Sequence, residues 1–168
     1  SRFGATYKLE FYENSDIEKI LKRSSRILNV KSDTEGIKLI ASRSRQTPRV
    51  ANRLLKRVRD YVEVKADGII KKDIAEKALA MLAVDELGLE NADRKILETI
   101  IKKFSGGPVG IQALAASAGE EENTILEVYE PYLLQLGFIN RTPRGREATS
   151  AAYNHLKIKA PPQTKNLI

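Results

Sequence analysis

From Asn14 onward the apolar residues fall three or four apart, and this spacing restricts the possible folds more than any other feature. In NSDIEKILKRSSRILN the positions Ile17, Ile20, Leu21, Ile27 and Leu28 follow helical spacing, and Asn14 or Ser15 is placed to cap the start. TEGIKLIASRS predicts a second helix. TPRVANRLLKRVRDYVEV predicts a third, with Thr47 as N-cap and Pro48 in the first helical position, where its missing N–H costs nothing. After a DG turn, KKDIAEKALAMLA predicts a fourth. Four helices with short connections over residues 14–83 make a small helical domain. The opening SRFGATYKLEFY has a different period: Tyr7, Leu9 and Phe11 alternate, as in a strand.

Beyond a connector, VDELGLENAD, the helical period resumes. DRKILETIIKKF aligns Ile96, Leu97, Ile100, Ile101 and Phe104 in one stripe, and SGGPVG breaks it. IQALAASAG and TILEVYEPYLLQLG follow, separated by GEEEN, which is helix-turn-helix spacing. The second of these is expected to bury Ile125, Val128, Tyr129, Leu133 and Leu136. GFINR and REAT then flank the turn TPRG as two short strands. Three helices and a β-hairpin describe a winged helix, so the fold class is mainly α: a four-helix domain followed by a winged-helix domain with a hairpin wing. The expected boundaries are 1–13, 14–85, 86–158, and a Pro-rich polar tail, 159–168, expected to be disordered.

Charge separates the two halves. The net charge is +7, yet residues 1–85 hold 19 Lys and Arg against 12 acids while residues 86–168 hold 10 against 10. The densest run, RSRQTPRVANRLLKRVR at 43–59, has seven basic residues and no acid. Such a face either meets phosphates or is simply solvated. With no cysteine there is no disulfide framework. With no signal peptide and no apolar run near twenty residues, a soluble cytoplasmic protein is the default expectation. The chain begins SRFG without an initiator Met, which suggests a piece of a longer protein.

Catalytic chemistry finds little support. One histidine, His155, and no cysteine leave no credible metal site, and a structural or solvated role suits His155 better than a catalytic one. The glycines of SGGPVG do not fit the phosphate-loop pattern G-x-x-x-x-G-K-[ST], so they read as a hinge. The acidic run at 120–122 reads as a solvated turn, and Glu127 and Glu130 would face any duplex that the 124–136 helix entered. The wing is more informative. Arg141, Arg144 and Arg146 lie within six residues around Pro143 and Gly145. Guanidinium groups on such a hairpin can bridge phosphate oxygens, although they read little base sequence.

Residues in this order then point to a family. SRFG, LEFY, TPRVANRLLKRVRDY, VDELGLENADRK, GGPVG, LAAS, VYEPYLLQLGF and RTPRGREAT resemble the bacterial Holliday-junction branch-migration motors, the RuvB family, over nearly all of 1–158. The family's phosphate-binding motifs and the hairpin that docks on its junction-binding partner RuvA are not in this chain. The chain is therefore similar to the C-terminal portion: the end of the ATPase core, the helical AAA+ lid and the winged helix. The resemblance implies that Arg2 is the arginine finger reaching a neighbouring subunit's ATP site, that Tyr12 packs near the adenine, and that Arg49 is the lid's nucleotide sensor. It implies ATP and Mg2+ as cofactors of the intact protein, with none expected on this piece alone. It also implies a homo-hexamer on duplex DNA at four-way junctions, acting with RuvA and RuvC in the bacterial cytoplasm. Two other classes fit parts of the pattern: a stand-alone winged-helix transcription regulator, and a winged helix that binds only protein.

Overall fold

The computed structural model describes residues 12–65 and 67–160, which divide into two compact units, one running to Glu90 and the other starting at Asn91. The strand expected around Tyr7, Leu9 and Phe11 lies outside the described residues, as do 161–168 of the expected disordered tail.

In the first unit, helices α1 (Asn14–Ile27), α2 (Thr34–Ser42), α3 (Pro48–Lys65) and α4 (Lys72–Met81) form the four-helix domain that the periodicity predicts. Each presents its apolar stripe inward. Ile17 and Leu21 of α1 meet Ile40 of α2, Leu55 and Val58 of α3 and Leu79 of α4, all with no exposed surface. Non-directional burial of this kind is what stabilises short helices that would be marginal alone.

The caps differ from expectation in two places. The residue before α1 is Glu13, and among the described residues no side chain caps that helix. The Thr47 hydroxyl turns back to donate to the Arg45 carbonyl (2.9 Å), while its carbonyl accepts from Ala51 N–H. Asp33, not singled out in the sequence, caps α2 by accepting from Gly36 N–H at 2.6 Å.

Two short strands, β1 (Lys31–Ser32) and β2 (Ile69–Ile70), pair in parallel in register Lys31↔Ile69 and Ser32↔Ile70. Two residues carry no readable alternation, so neither was predicted. They tie the start of α2 to the start of α4. Gly36 sits where they meet: a Cβ there would come within 2.6 Å of the Ile70 carbonyl oxygen. The connector then folds back on this unit. Asp85 Oδ1 accepts from Leu87 and Leu89 N–H, Leu89 is fully buried, and Arg45 Nε donates to the Gly88 carbonyl at 2.9 Å.

The second unit begins with α5 (Asn91–Glu98), which runs into a π-helical turn at Thr99–Lys103. Next come α6 (Ile111–Ala118) and α7 (Glu122–Thr124). A second π-helical turn, Ile125–Tyr129, leads into α8 (Glu130–Gln135). Strands β3 (Ile139–Thr142) and β4 (Gly145–Ala148) form the antiparallel hairpin, and α9 (Ser150–His155) closes the unit. Val109, in the loop after α5, exchanges both backbone hydrogen bonds with Arg146 (3.0 and 2.9 Å), so the hairpin gains a one-residue third strand. His155 packs against Phe138 as a tilted ring pair, with centroids 5.0 Å apart.

The second π turn changes the helix face. With one extra residue in the turn, the inward direction passes from Ile125 to Glu130 and Leu133 instead of through Val128. Ile125 and Leu133 are buried as expected, but Val128 is 55% exposed and Glu130 is only 3% exposed. The expectation that Val128 is core is therefore corrected, and so is the expectation that Glu130 faces outward.

Candidate nucleic-acid and nucleotide interface

The hairpin register is Ile139↔Ala148, Asn140↔Glu147, Arg141↔Arg146 and Thr142↔Gly145, which leaves Pro143 and Arg144 as a two-residue tip. The Thr142 hydroxyl donates to the Gly145 carbonyl at 3.0 Å. Gly145 has φ +136, and its backbone lies against the Val109 carbonyl with no room for a side chain. The tip is thus braced from both sides. Arg144 stands at its apex, exposed and without a partner among the described residues.

Arg141 and Arg146 are directly opposite each other, so both side chains leave the same face of the hairpin. Like charges so placed repel. The carboxylate of Glu130 offsets this repulsion. Arg146 donates to it from Nε (3.1 Å to Oε2) and from Nη2 (2.9 Å to Oε2, 3.3 Å to Oε1). Arg141 Nε lies 3.4 Å from Oε1. The side chains of Glu130 and Arg146 are 4% and 8% exposed, whereas that of Arg141 is 62% exposed. The three arginines are therefore not equivalent. Arg146, expected to grip phosphate, is instead committed to a buried ion pair that joins the wing to α8. Arg141 and Arg144 remain at the surface.

The helical stretch that follows GEEEN is unsuited to a DNA groove. From Gly119 to Asn140 the sequence holds five glutamates and no Lys or Arg. Of the five, only Glu130 is neutralised by a buried partner. Lys95, Lys157 and Lys159 of this unit are also exposed, but Arg141 and Arg144 are the exposed cations carried on the braced hairpin.

On the first unit, Arg49 is exposed in the first turn of the 18-residue α3, a turn that contains no acid. A helix N-terminus offers backbone N–H groups and a positive dipole end to a phosphate, and Arg49 adds a full charge beside them. This setting fits a nucleotide-sensing residue. Tyr12 is 48% exposed, and Arg2 lies outside the described residues. The basic run 43–59 is partly spent internally. Arg43 reaches Glu76 (3.8 Å) and the Val84 carbonyl, Arg45 reaches Glu90 (3.7 Å), Arg53 pairs with Glu90, and Arg59 pairs with Asp60 (2.7 Å). Among the described residues Arg49, Lys56 and Arg57 have no ion-pair partner.

Comparison with known proteins adds three findings. Residues 12–85 match the family model described as the RuvB AAA lid domain, and residues 86–157 match the RuvB C-terminal winged helix domain. Curated relatives include the Holliday junction branch migration complex subunit RuvB of Dehalococcoides mccartyi, 59% identical over 157 residues, and that of Koribacter versatilis, 54% identical over 167. The matches cover 94% and 99% of this chain but 45% and 46% of those relatives, so the chain spans about half their length. A solved structure titled Thermotoga maritima RuvB Holliday junction branch migration motor superposes with TM-score 0.88 at 51% identity, covering 95% of this chain and 54% of that one. A structure of a Thermotoga maritima RuvB variant gives TM-score 0.89 at 50% identity.

Fold and site together define an AAA+ helical lid followed by a winged-helix module whose wing presents Arg141 and Arg144 at its surface. The chain belongs to the RuvB family. Nothing in these matches supports the stand-alone transcription regulator.

Glu130 was missed as a site residue. A glutamate sixteen positions before its arginine gives no local signal, and the π turn that rotates it inward has no sequence signature.

Proposed function

We propose that this chain is the lid and DNA-holding portion of a hexameric, ATP-driven motor that moves Holliday junctions during recombination and repair in the bacterial cytoplasm. The observation that carries the DNA part is the contrast between a braced, exposed wing bearing Arg141 and Arg144 and an acidic helix beside it. Phosphates met by the wing are held by charge, without base reading, which suits a protein that must travel along any sequence. In the intact protein ATP with Mg2+ supplies the hydrolysable phosphoanhydride. Arg49, at the start of α3, senses the bound phosphates from the lid, and Tyr12 packs near the adenine. Arg2 neutralises charge developing at a neighbouring subunit's site, a contribution of ~10³–10⁵ in rate where such fingers have been removed. RuvA is the junction-binding partner, engaged through the part of the protein not in this chain, and RuvC acts with the complex.

The test uses the intact protein with RuvA, ATP and a synthetic four-way junction. ATP-dependent conversion of the junction into two duplexes is the expected result, with Arg49→Ala lowering ATP turnover while duplex affinity stays unchanged. Absence of ATP-dependent branch migration would refute the assignment. Wild-type turnover in the Arg49→Ala protein would remove Arg49 from the nucleotide site.

A further inference from the structure

We propose that Glu130 is a built-in competitor of DNA for Arg141, setting how tightly the wing holds a phosphate. The proposal rests on the reading of the wing as a phosphate grip. Arg146 fixes the carboxylate in place: three hydrogen bonds of 2.9–3.3 Å hold it, and both side chains are almost wholly buried. The backbone of Arg146 is itself locked to Val109 on both sides. The carboxylate is thus a stationary negative charge, and Arg141 reaches it from outside at 3.4 Å.

Arg141 differs from Arg146 in exposure. With most of its side chain in solvent, its guanidinium is accessible to an incoming phosphate, yet one edge is already turned to an anion. A phosphate must draw this group away from Glu130 or share it. Exposed ion pairs are weak, so the competitor lowers affinity modestly without abolishing binding. Arg144, with no partner among the described residues, carries no such penalty. The wing therefore presents one free cation at its tip and one restrained cation on its flank. A weak restraint suits a surface that must release the backbone as often as it takes hold.

The experiment removes the competitor while preserving the wing. In the full chain, Glu130→Met combined with Arg146→Met deletes the buried pair together and leaves net charge unchanged. Replacing both members with apolar residues of similar volume is commonly neutral or stabilising. Duplex affinity is measured at fixed salt for wild type and the double variant, each with and without Arg141→Ala. The double variant is expected to bind about 1.5- to 5-fold more tightly, the range set by exposed ion pairs. That gain should vanish in the Arg141→Ala background, an outcome that a merely structural role for Glu130 would not produce. Glu130→Gln, which keeps an oxygen for Arg146 but loses the charge, should shift affinity in the same direction and serves if the double variant fails to fold. Unchanged or weaker binding by a folded competitor-free variant would overturn the proposal, as would a gain that persists without Arg141. If Arg141→Ala with Arg144→Ala leaves wild-type affinity unaltered, the phosphate-grip reading itself fails, and the proposal falls with it.

Discussion

Replacing Glu130 with alanine removes the only side-chain partner, among the described residues, of a guanidinium that is 8% exposed, and the consequence follows from the geometry. Arg146 would lose all three hydrogen bonds to the carboxylate and remain buried with its charge uncompensated. Breaking a buried pair by deleting one partner costs about 3–5 kcal/mol, because desolvation of the remaining charge is no longer offset. The cost falls on the segment that Arg146 organises. Its backbone pairs with Val109, so the hairpin and the loop after α5 should open together. Hydrogen exchange at Val109 and Arg146 N–H reads this directly, since each donates to the other's carbonyl. At about 1.4 kcal/mol per tenfold, their exchange should accelerate by roughly 100- to 4,000-fold, while amides of α3 keep their protection. The Glu130→Met, Arg146→Met double variant should recover most of the lost protection. Protection within a few-fold of wild type in Glu130→Ala would show that the pair does not hold the wing, and the reasoning would fail.

Leu55→Ala, at a fully buried position in the lid core, should destabilise that unit by about 2–5 kcal/mol, whereas Leu55→Met should cost under ~1.5 kcal/mol; thermal melts with exchange on α1 and α3 check both. The hydrogen bond from Lys71 (2.7 Å), helped by Ile69 N–H, holds the Asp67 carboxyl below its ordinary value. A depressed pKa contributes stability above the unfolded-state value that is lost as pH falls through the folded one, so Asp67→Asn should flatten part of the acid-range decline in lid melting temperature; an unchanged pH profile would contradict this. The 168-residue chain alone should show no ATP hydrolysis above background, since it contains no G-x-x-x-x-G-K-[ST] loop; metal-dependent turnover by the purified chain would contradict the assignment of roles.

Much of the fold was legible because burial imposes period on sequence. Ile17 and Leu21, or Ile96, Leu97 and Ile100, must recur on one helical face to be buried, and they are. The hairpin was legible for a different reason: Pro143 fixes its own φ and Gly145 can take the φ of +136 that other residues rarely adopt, which marks a tight turn between two short strands. What was not legible depends on contacts distant in sequence or on a local change of helical pitch. Val128 and Glu130 exchange their expected environments because a π turn inserts one residue, and no propensity scale registers that insertion. Arg146 looked like its neighbours Arg141 and Arg144, since composition cannot distinguish a solvated arginine from one paired with a glutamate on another element. Similarly, four of the seven basic residues of the run 43–59 pair with Glu76, Glu90 or Asp60, acids that all lie outside the run.

The central claim is that the wing holds duplex DNA by charge alone through Arg141 and Arg144. Its most direct test is the slope of log affinity against log salt for the full chain and its Arg141→Ala, Arg144→Ala double variant on two unrelated duplexes. Each lost phosphate contact removes about 0.9 from the slope on duplex DNA. The expected slope is shallower by about 1.8, with affinity falling by similar factors on both sequences. An unaltered slope, or a loss confined to one sequence, would contradict it.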